Sequence, residues 1–202
     1  LEISNLTFAY RHGKTVLNVD HALFPAGKIT ALLGPCGSGK STLARIVCGL
    51  EKAKHASITL NGQKFPSHDA YLVMQDPTRQ LFSDTVIDEV TLGTTKAEKQ
   101  HIDAHAILEE LDLADHEADH PQALSSGQRQ RLVIATALAA NKKVYIFDEP
   151  TSGVGYKHLV AISRVMRKLA DTGAVVIVIT HDAELVTEVA DHNIRLDQIN
   201  AC

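Results

Sequence analysis

A chain of 202 residues, 45% hydrophobic and 22% charged, has the balance of a globular domain that buries a core without disulfide or metal staples; this excludes disordered, collagen-like and coiled-coil chains. Its 24 acidic and 20 basic residues leave a formal net charge of −4, which argues against a dedicated nucleic-acid binder, and no apolar run nears the roughly 18 residues of a membrane span. Cys36, Cys48 and Cys202 are scattered and odd in number, which fits a reducing compartment rather than a disulfide framework.

The sequence starts at Leu1 rather than Met, with no signal-like segment after it, as expected of a piece of a longer chain. To about Leu72 the pattern predicts strands joined by turns. Residues 5–10 and 57–60 alternate and are rich in β-formers. Pro25 to Gly27 and Asn61-Gly62 are turn signals, the latter of a hairpin. Residues 29–33 read as an apolar strand, followed by a Gly-rich loop and a helix over 41–48. From Val86 to Leu138 the reading is mostly helical, with Ala104, Ile107, Leu108 and Leu111 on one face. Residues 144–147 and 174–180 are continuous apolar runs, as in parallel strands covered on both faces. Between them Leu159, Ile162, Met166 and Leu169 line one helix face, and Gly173 sits where a C-cap belongs. Strand–helix–strand is an α/β signature.

Gly34-Pro35-Cys36-Gly37-Ser38-Gly39-Lys40-Ser41 matches the phosphate-loop pattern G-x-x-x-x-G-K-[ST]. Gly37 and Gly39 allow the backbone turns that converge N–H groups on an anion. The following helix offers its positive end to the same phosphates. Lys40 is placed to reach the β- and γ-phosphates and the Ser41 hydroxyl to ligate Mg²⁺. At the end of the strand over 144–147 stand Asp148 and Glu149, where open α/β sheets bind ligands. Asp148 fits the Mg²⁺ side, and Glu149 fits the base that orients the attacking water. Alone, either motif has a bland alternative, a chance glycine turn or a solvated acidic pair. His101/His105 and His116/His120 are spaced i, i+4, as a metal clamp on a helix would be. A solvated helix face is the expectation for them. Cys36 is read as a tolerated loop residue beside a helix N-terminus.

Leu124-Ser125-Ser126-Gly127-Gln128 resembles the LSGGQ signature of ABC-type ATPases. The family's other motifs follow in order: Tyr10 in the place of the adenine-stacking aromatic, Gln75 of the Q-loop, and His181 of the switch. The resemblance spans Leu1 to about Leu196. It implies an α/β fold: a P-loop NTPase ABC ATPase core with an N-terminal antiparallel β portion and an inserted helical subdomain. The chain is then a single domain, with residues 1–75 and 131–202 as core and residues 76–130 as the helical part. It implies ATP bound by Tyr10, Gly34, Gly37, Ser38, Gly39, Lys40, Ser41 and Thr42 of one subunit. Ser125, Ser126, Gly127 and Gln128 of the other complete a head-to-tail dimer. Mg²⁺ would sit on Ser41, Gln75 and Asp148, with Glu149, His181 and Gln75 catalytic.

Gln75-Asp76-Pro77, Gln80-Leu81-Phe82, Thr85-Val86 and Asp88-Glu89-Val90 are further similar to energy-coupling factor ATPases, the paired ATPases of vitamin and metal importers. This implies a second ABC ATPase subunit, the same or different, and a transmembrane coupling subunit as partners, with no nucleic acid. The placement is cytoplasmic, peripheral on the inner face of the membrane. Leu81 and Phe82 are either a docking surface or core. The short tail after Leu196 leaves no room within this sequence for a regulatory domain. Two departures stand out: Ser126 replaces the usual Gly, and Thr151-Ser152-Gly153-Val154-Gly155 ends in Val-Gly where the family has Leu-Asp. The second puts symmetric hydrolysis in question. A soluble ABC ATPase outside transport and a non-hydrolysing half of an asymmetric pair are the rival readings.

Overall fold

The computed structural model describes all of the chain except residues 12, 96–98, 152–154 and 202, and of Tyr156 the backbone alone. Strands β1 (Glu2–Ala9), β2 (Thr15–Leu23), β4 (His55–Leu60) and β5 (Gln63–Lys64) form an antiparallel sheet in the order β2-β1-β4-β5. The β4–β5 turn is the expected hairpin: Asn61 and Gly62 both take positive φ, 52° and 75°, and Leu60 pairs with Gln63.

The second sheet has the order β6-β7-β8-β3-β9, from β3 (Ile29–Leu33), β6 (Ala70–Val73), β7 (Val144–Asp148), β8 (Val175–Ile179) and β9 (His192–Arg195). Every pairing in it is parallel. Both β7 and β8 are buried throughout, as their continuous apolar runs require. Alternation sends the two faces into different cores. Val144, Ile146, Val175, Ile177 and Ile179 pack with Leu43, Ala44, Ile46 and Val47 of helix α1 (Lys40–Val47) and with Ile3, Leu6 and Phe24 of the antiparallel part. Tyr145, Phe147, Val176 and Val178 pack against helices on the other face.

Those helices are α4 (Ser126–Ala139) and α5 (Tyr156–Asp171). Helix α5 turns Leu159, Ile162, Met166 and Leu169 inward at helical spacing, as read from sequence. After it, Gly173 takes φ +89°, and its N–H donates to the Ala170 carbonyl at 2.8 Å. Phe147 has no exposed surface at the centre of the sheet, where a Phe-to-Ala change costs about 3–5 kcal/mol.

The stretch expected to be mostly helical is broken into pieces. It holds α2 (Val86–Val90), α3 (Ala104–Glu110) and 3₁₀ turns at Ala114–His116 and Pro121–Ala123 before α4 begins. All but the first 3₁₀ turn have a local start signal: Thr85 caps α2, Asp103 caps α3, and Pro121 opens the second turn. Helix α4 begins at Ser126, because Ser125 and Gln128 form a capping box. Helices α6 (Ala183–Val189) and α7 (Leu196–Ile199) follow β8 and β9 in turn.

Candidate functional site

The phosphate loop leaves β3 and enters α1. Gly34, Gly37 and Gly39 have φ of 145°, 79° and 98°, where L residues are strained. Any Cβ on Gly39 would lie 2.7 Å from Leu17 Cδ2, so glycine is also required for space. The Lys40 ammonium folds back to donate to the Gly34 carbonyl at 2.7 Å and the Pro35 carbonyl at 2.9 Å. The Ser38 hydroxyl is buried with no hydrogen-bond partner among the described residues. A buried orphan donor beside an ammonium held by loop carbonyls is a cradle suited to an anion.

Tyr10 stands at the rim of this loop. Its phenol lies 3.0 Å from the Thr42 hydroxyl, and its ring meets Phe8 edge-on at 4.9 Å. It is 40% exposed, so a ring face is open to stacking. It lies just past β1, which ends at Ala9 rather than including Tyr10.

Asp148 ends β7 almost fully buried. Burial pushes its carboxyl above the ordinary value, opposed by the Ser41 hydroxyl hydrogen-bonded to it and by the Arg45 and Lys40 charges. Ser41 and Asp148 thus meet as an all-oxygen pair, the donor chemistry of a hard divalent cation.

Glu149 takes φ 50°, an uncommon conformation for a side-chain-bearing residue. Its N–H donates to Ile179 at 2.8 Å, so the turn is imposed by the β7–β8 register. Its carboxylate accepts from the Thr180 hydroxyl at 3.2 Å and the His181 N–H at 3.4 Å. His181 Nε2 lies 3.6 Å from the other carboxylate oxygen and 3.9 Å from Cys36 Sγ of the phosphate loop. Asp182 caps α6 and accepts from the Thr151 hydroxyl at 3.0 Å, tying the segment after Glu149 to the His181 loop. Thr151 and Gly155 are described, whereas Ser152, Gly153 and Val154 lie outside the described residues. Gly155 is the N-cap of α5, without a side-chain cap.

These contacts bring together the phosphate loop, Tyr10, Thr42, Ser41, Asp148, Glu149 and His181. Gln75 and the signature residues are not joined to them by a side-chain hydrogen bond among the described residues. Gln75 is exposed after β6. The residue that shapes its loop is Gln80, which accepts from Met74 N–H at 2.7 Å and donates to Leu72 O at 2.6 Å. Ser125 and Ser126 are exposed and Gly127 half-buried at the start of α4. The Ser125 hydroxyl accepts from Gln128 N–H at 3.3 Å, and Gln128 Oε1 accepts from Ser125 N–H at 2.8 Å. The Gln128 side chain is thereby committed to the cap.

Leu81 is core, and Phe82 is 75% exposed and so is not core. The N–H groups of Phe82 and Ser83 both donate to the buried carboxylate of Glu89, at 2.7 and 2.6 Å. Sequence reasoning assigned no role to Gln80 or Glu89. A carboxylate between the buried Val86 and Val90 was the available signal for Glu89. Of the four histidines only His105 lies in an α-helix, so they share no helix face, although His101, His105 and His120 are exposed as a solvated reading requires. His105 pairs with Glu117, the half-buried His116 with Asp119 and Gln128, and His120 accepts from Gln122 N–H at 3.1 Å.

An open parallel sheet with a phosphate loop after β3 and an acidic pair at the end of β7, one strand apart, defines a P-loop nucleotide-binding protein. The comparisons with known proteins narrow that class. The sequence model of the ABC transporter family matches residues 17–152, and the chain belongs to that family as an ABC ATP-binding domain. It is 35% identical over 202 residues to an ABC transporter ATP-binding protein of Treponema denticola, covering 98% of this chain and 41% of that protein. Across the first curated relatives the chain spans about two fifths of their length, 41%, 38% and 37%. Among solved structures it resembles cbiO1 of Clostridium perfringens, described as part of the ABC transporter complex cbiONQ, with 27% identity, TM-score 0.79, and 96% and 83% of the two chains covered. It also resembles the ATP-binding cassette MJ0796, a dimer in a post-hydrolysis state with ADP and Pi, with 25% identity, TM-score 0.82, and 96% and 93% covered.

Proposed function

We propose that the chain is the ATP-hydrolysing domain of an importer of the energy-coupling factor type, acting as one half of a head-to-tail ATP sandwich. The observation that carries this reading is the cluster of Glu149, Thr180 and His181 at the open ends of β7 and β8, next to the phosphate loop. In it, residues 1–75 and 131–202 bind nucleotide, and residues 76–130 form the helical subdomain that carries the signature.

On ATP binding, Lys40 exchanges the Gly34 and Pro35 carbonyls for the β- and γ-phosphates, and the loop N–H groups and Ser38 hydroxyl complete the cradle. Tyr10 stacks on the base. Ser41 and Asp148, joined by Gln75, are the oxygen set that would hold Mg²⁺, which supplies neutralisation of phosphate charge. Glu149, aimed by Thr180 and the His181 N–H, accepts the proton of the attacking water, and His181 holds the γ-phosphate side. Ser125, Ser126 and Gly127 serve the partner's nucleotide, because their hydroxyls and N–H groups sit at the positive end of a fourteen-residue helix. Gln128 acts by capping.

No helix among the described residues is long and apolar enough to cross a membrane. Coupling would then pass through a peripheral contact on the cytoplasmic face. Phe82 borders a groove of about 440 Å³ lined also by Leu50, Tyr71, Met74 and Leu92. An exposed aromatic beside such a groove suits an apolar segment of a transmembrane coupling subunit. The likeness to cbiO1 supports that choice.

The experiment is sedimentation of the Glu149→Gln protein with and without ATP, joined to co-purification of the membrane subunit from the native host in mild detergent. ATP-dependent pairing, with a membrane subunit lost on Phe82→Asp, is expected. Pairing without any membrane subunit would favour a soluble ABC ATPase. One observation favours a second reading: Gly155 puts no side chain where the family has an interface Asp, so the partner half would be a different cassette that supplies it.

A further inference from the structure

We propose that His116 is a positioning residue for the signature: it locks the Gln128 amide in the one orientation that caps α4, and so fixes Ser125 and Gly127 for the partner's γ-phosphate. The inference rests on the sandwich reading above. It begins from donors and acceptors. Ser125 N–H can only donate, so the Gln128 atom 2.8 Å away is the carbonyl oxygen. The amide NH₂ of Gln128 is then the group that faces His116 Nε2 at 2.7 Å. An NH₂ cannot accept, so Nε2 is bare and accepts. A neutral imidazole with Nε2 bare carries its proton on Nδ1. That atom lies 2.7 Å from Asp119 Oδ2, which accepts it.

The four groups close in one sense only: Ser125 N–H to Gln128, Gln128 to His116, His116 to Asp119. Reversing the amide sets Ser125 N–H against an NH₂ and opens the cap. Asp119 is anchored in turn. Its N–H donates to the His116 carbonyl at 2.9 Å, and its carbonyl accepts from Val86 N–H, at the start of α2, at 3.0 Å. The His116 side chain is 34% exposed, shielded enough for its bonds to compete with water. Outside this relay, nothing in the nucleotide chemistry uses it.

Two measurements test the proposal. Long-range ¹H–¹⁵N correlation spectra at pH 8 read the ring tautomer, with His116→Gln assigning the signal. The Nδ1–H form is expected, and an Nε2–H form overturns the relay. In the Glu149→Gln background, His116→Ala should weaken ATP-driven pairing about tenfold, the weight of one well-made hydrogen bond. The affinity of the single chain for ATP should stay near the parent's, and the urea midpoint should fall in His116→Ala, which removes two hydrogen bonds within the chain, and recover in part in His116→Gln. His116→Gln, whose carbonyl can accept from Gln128, should restore pairing. Unchanged pairing in His116→Ala, or no rescue by His116→Gln, contradicts the role. If the Glu149→Gln parent itself does not pair, a sandwich of two copies of this chain has failed. Ser125 hydrogen-exchange protection, expected to fall in His116→Ala and unchanged if the relay is wrong, then decides the relay together with the tautomer.

Discussion

Asp148, the proposed Mg²⁺-side residue, shows how a buried carboxyl weighs on the fold. Burial holds its carboxyl above the ordinary range in the folded chain. The folded state therefore retains a proton that the unfolded state releases near pH 3.9. Where the folded state binds more protons, stability falls as pH rises. The loss runs from about pH 4 up to the raised folded value and persists above it. Asp148→Asn should thus raise the thermal midpoint of the nucleotide-free protein at pH 8, with a smaller gain at pH 4, while abolishing the tightening of ATP by Mg²⁺. A lower midpoint at pH 8 would contradict the burial argument. Gly155 is the opposite case, a missing side chain: among the described residues, its chain neighbours apart, no atom lies within 4 Å of its would-be Cβ, and its φ of −78° suits any residue. Gly155→Asp should shift urea stability by only about 0.3 kcal/mol through the α5 cap and raise hydrolysis through the interface. No gain in rate at saturating ATP would count against an interface role.

At the scale of elements, α2 depends on one buried charge. Glu89 satisfies two N–H groups of the segment that presents Phe82. Glu89→Ala should cost about 2–3 kcal/mol, the desolvation penalty of donors left unpaired, and Glu89→Gln, keeping one acceptor, clearly less. Urea unfolding measures both, and equal losses would mean the oxygens are not what matters. The same region shows what the sequence carries and what it hides. Apolar runs made β7, β8 and β3 legible, since burial on both faces leaves no polar position to blur them. Asn61-Gly62 and the phosphate loop were legible because their backbone angles demand glycine. The division of residues 86–138 into short helices was not, because apolar spacing survives across a broken helix while the breaks are written in caps such as Thr85 and Asp103. β9 was missed because it is short and mostly exposed, placed by its pairing with β3. Within the candidate site, Lys40, Asp148, Glu149 and His181 were named from pattern. Gln80, Glu89 and the His116 relay were not, since their partners are backbone groups or residues brought close only by folding.

For the whole molecule, two cores on opposite faces of one parallel sheet present the phosphate loop, Glu149 and His181 along its carboxyl edge. The signature residues are bonded within the helical region, away from that cluster. In the proposed sandwich, a site divided in this way is completed by a second subunit, so its rate depends on their meeting. The most direct measurement is the specific rate of ATP hydrolysis by the purified chain over a wide range of protein concentration, with Glu149→Gln alongside. The account predicts a rate that rises with concentration to a plateau and falls at least about 100-fold in the variant, the contribution of a positioned general base. A rate independent of concentration, or one that survives in Glu149→Gln, would contradict it.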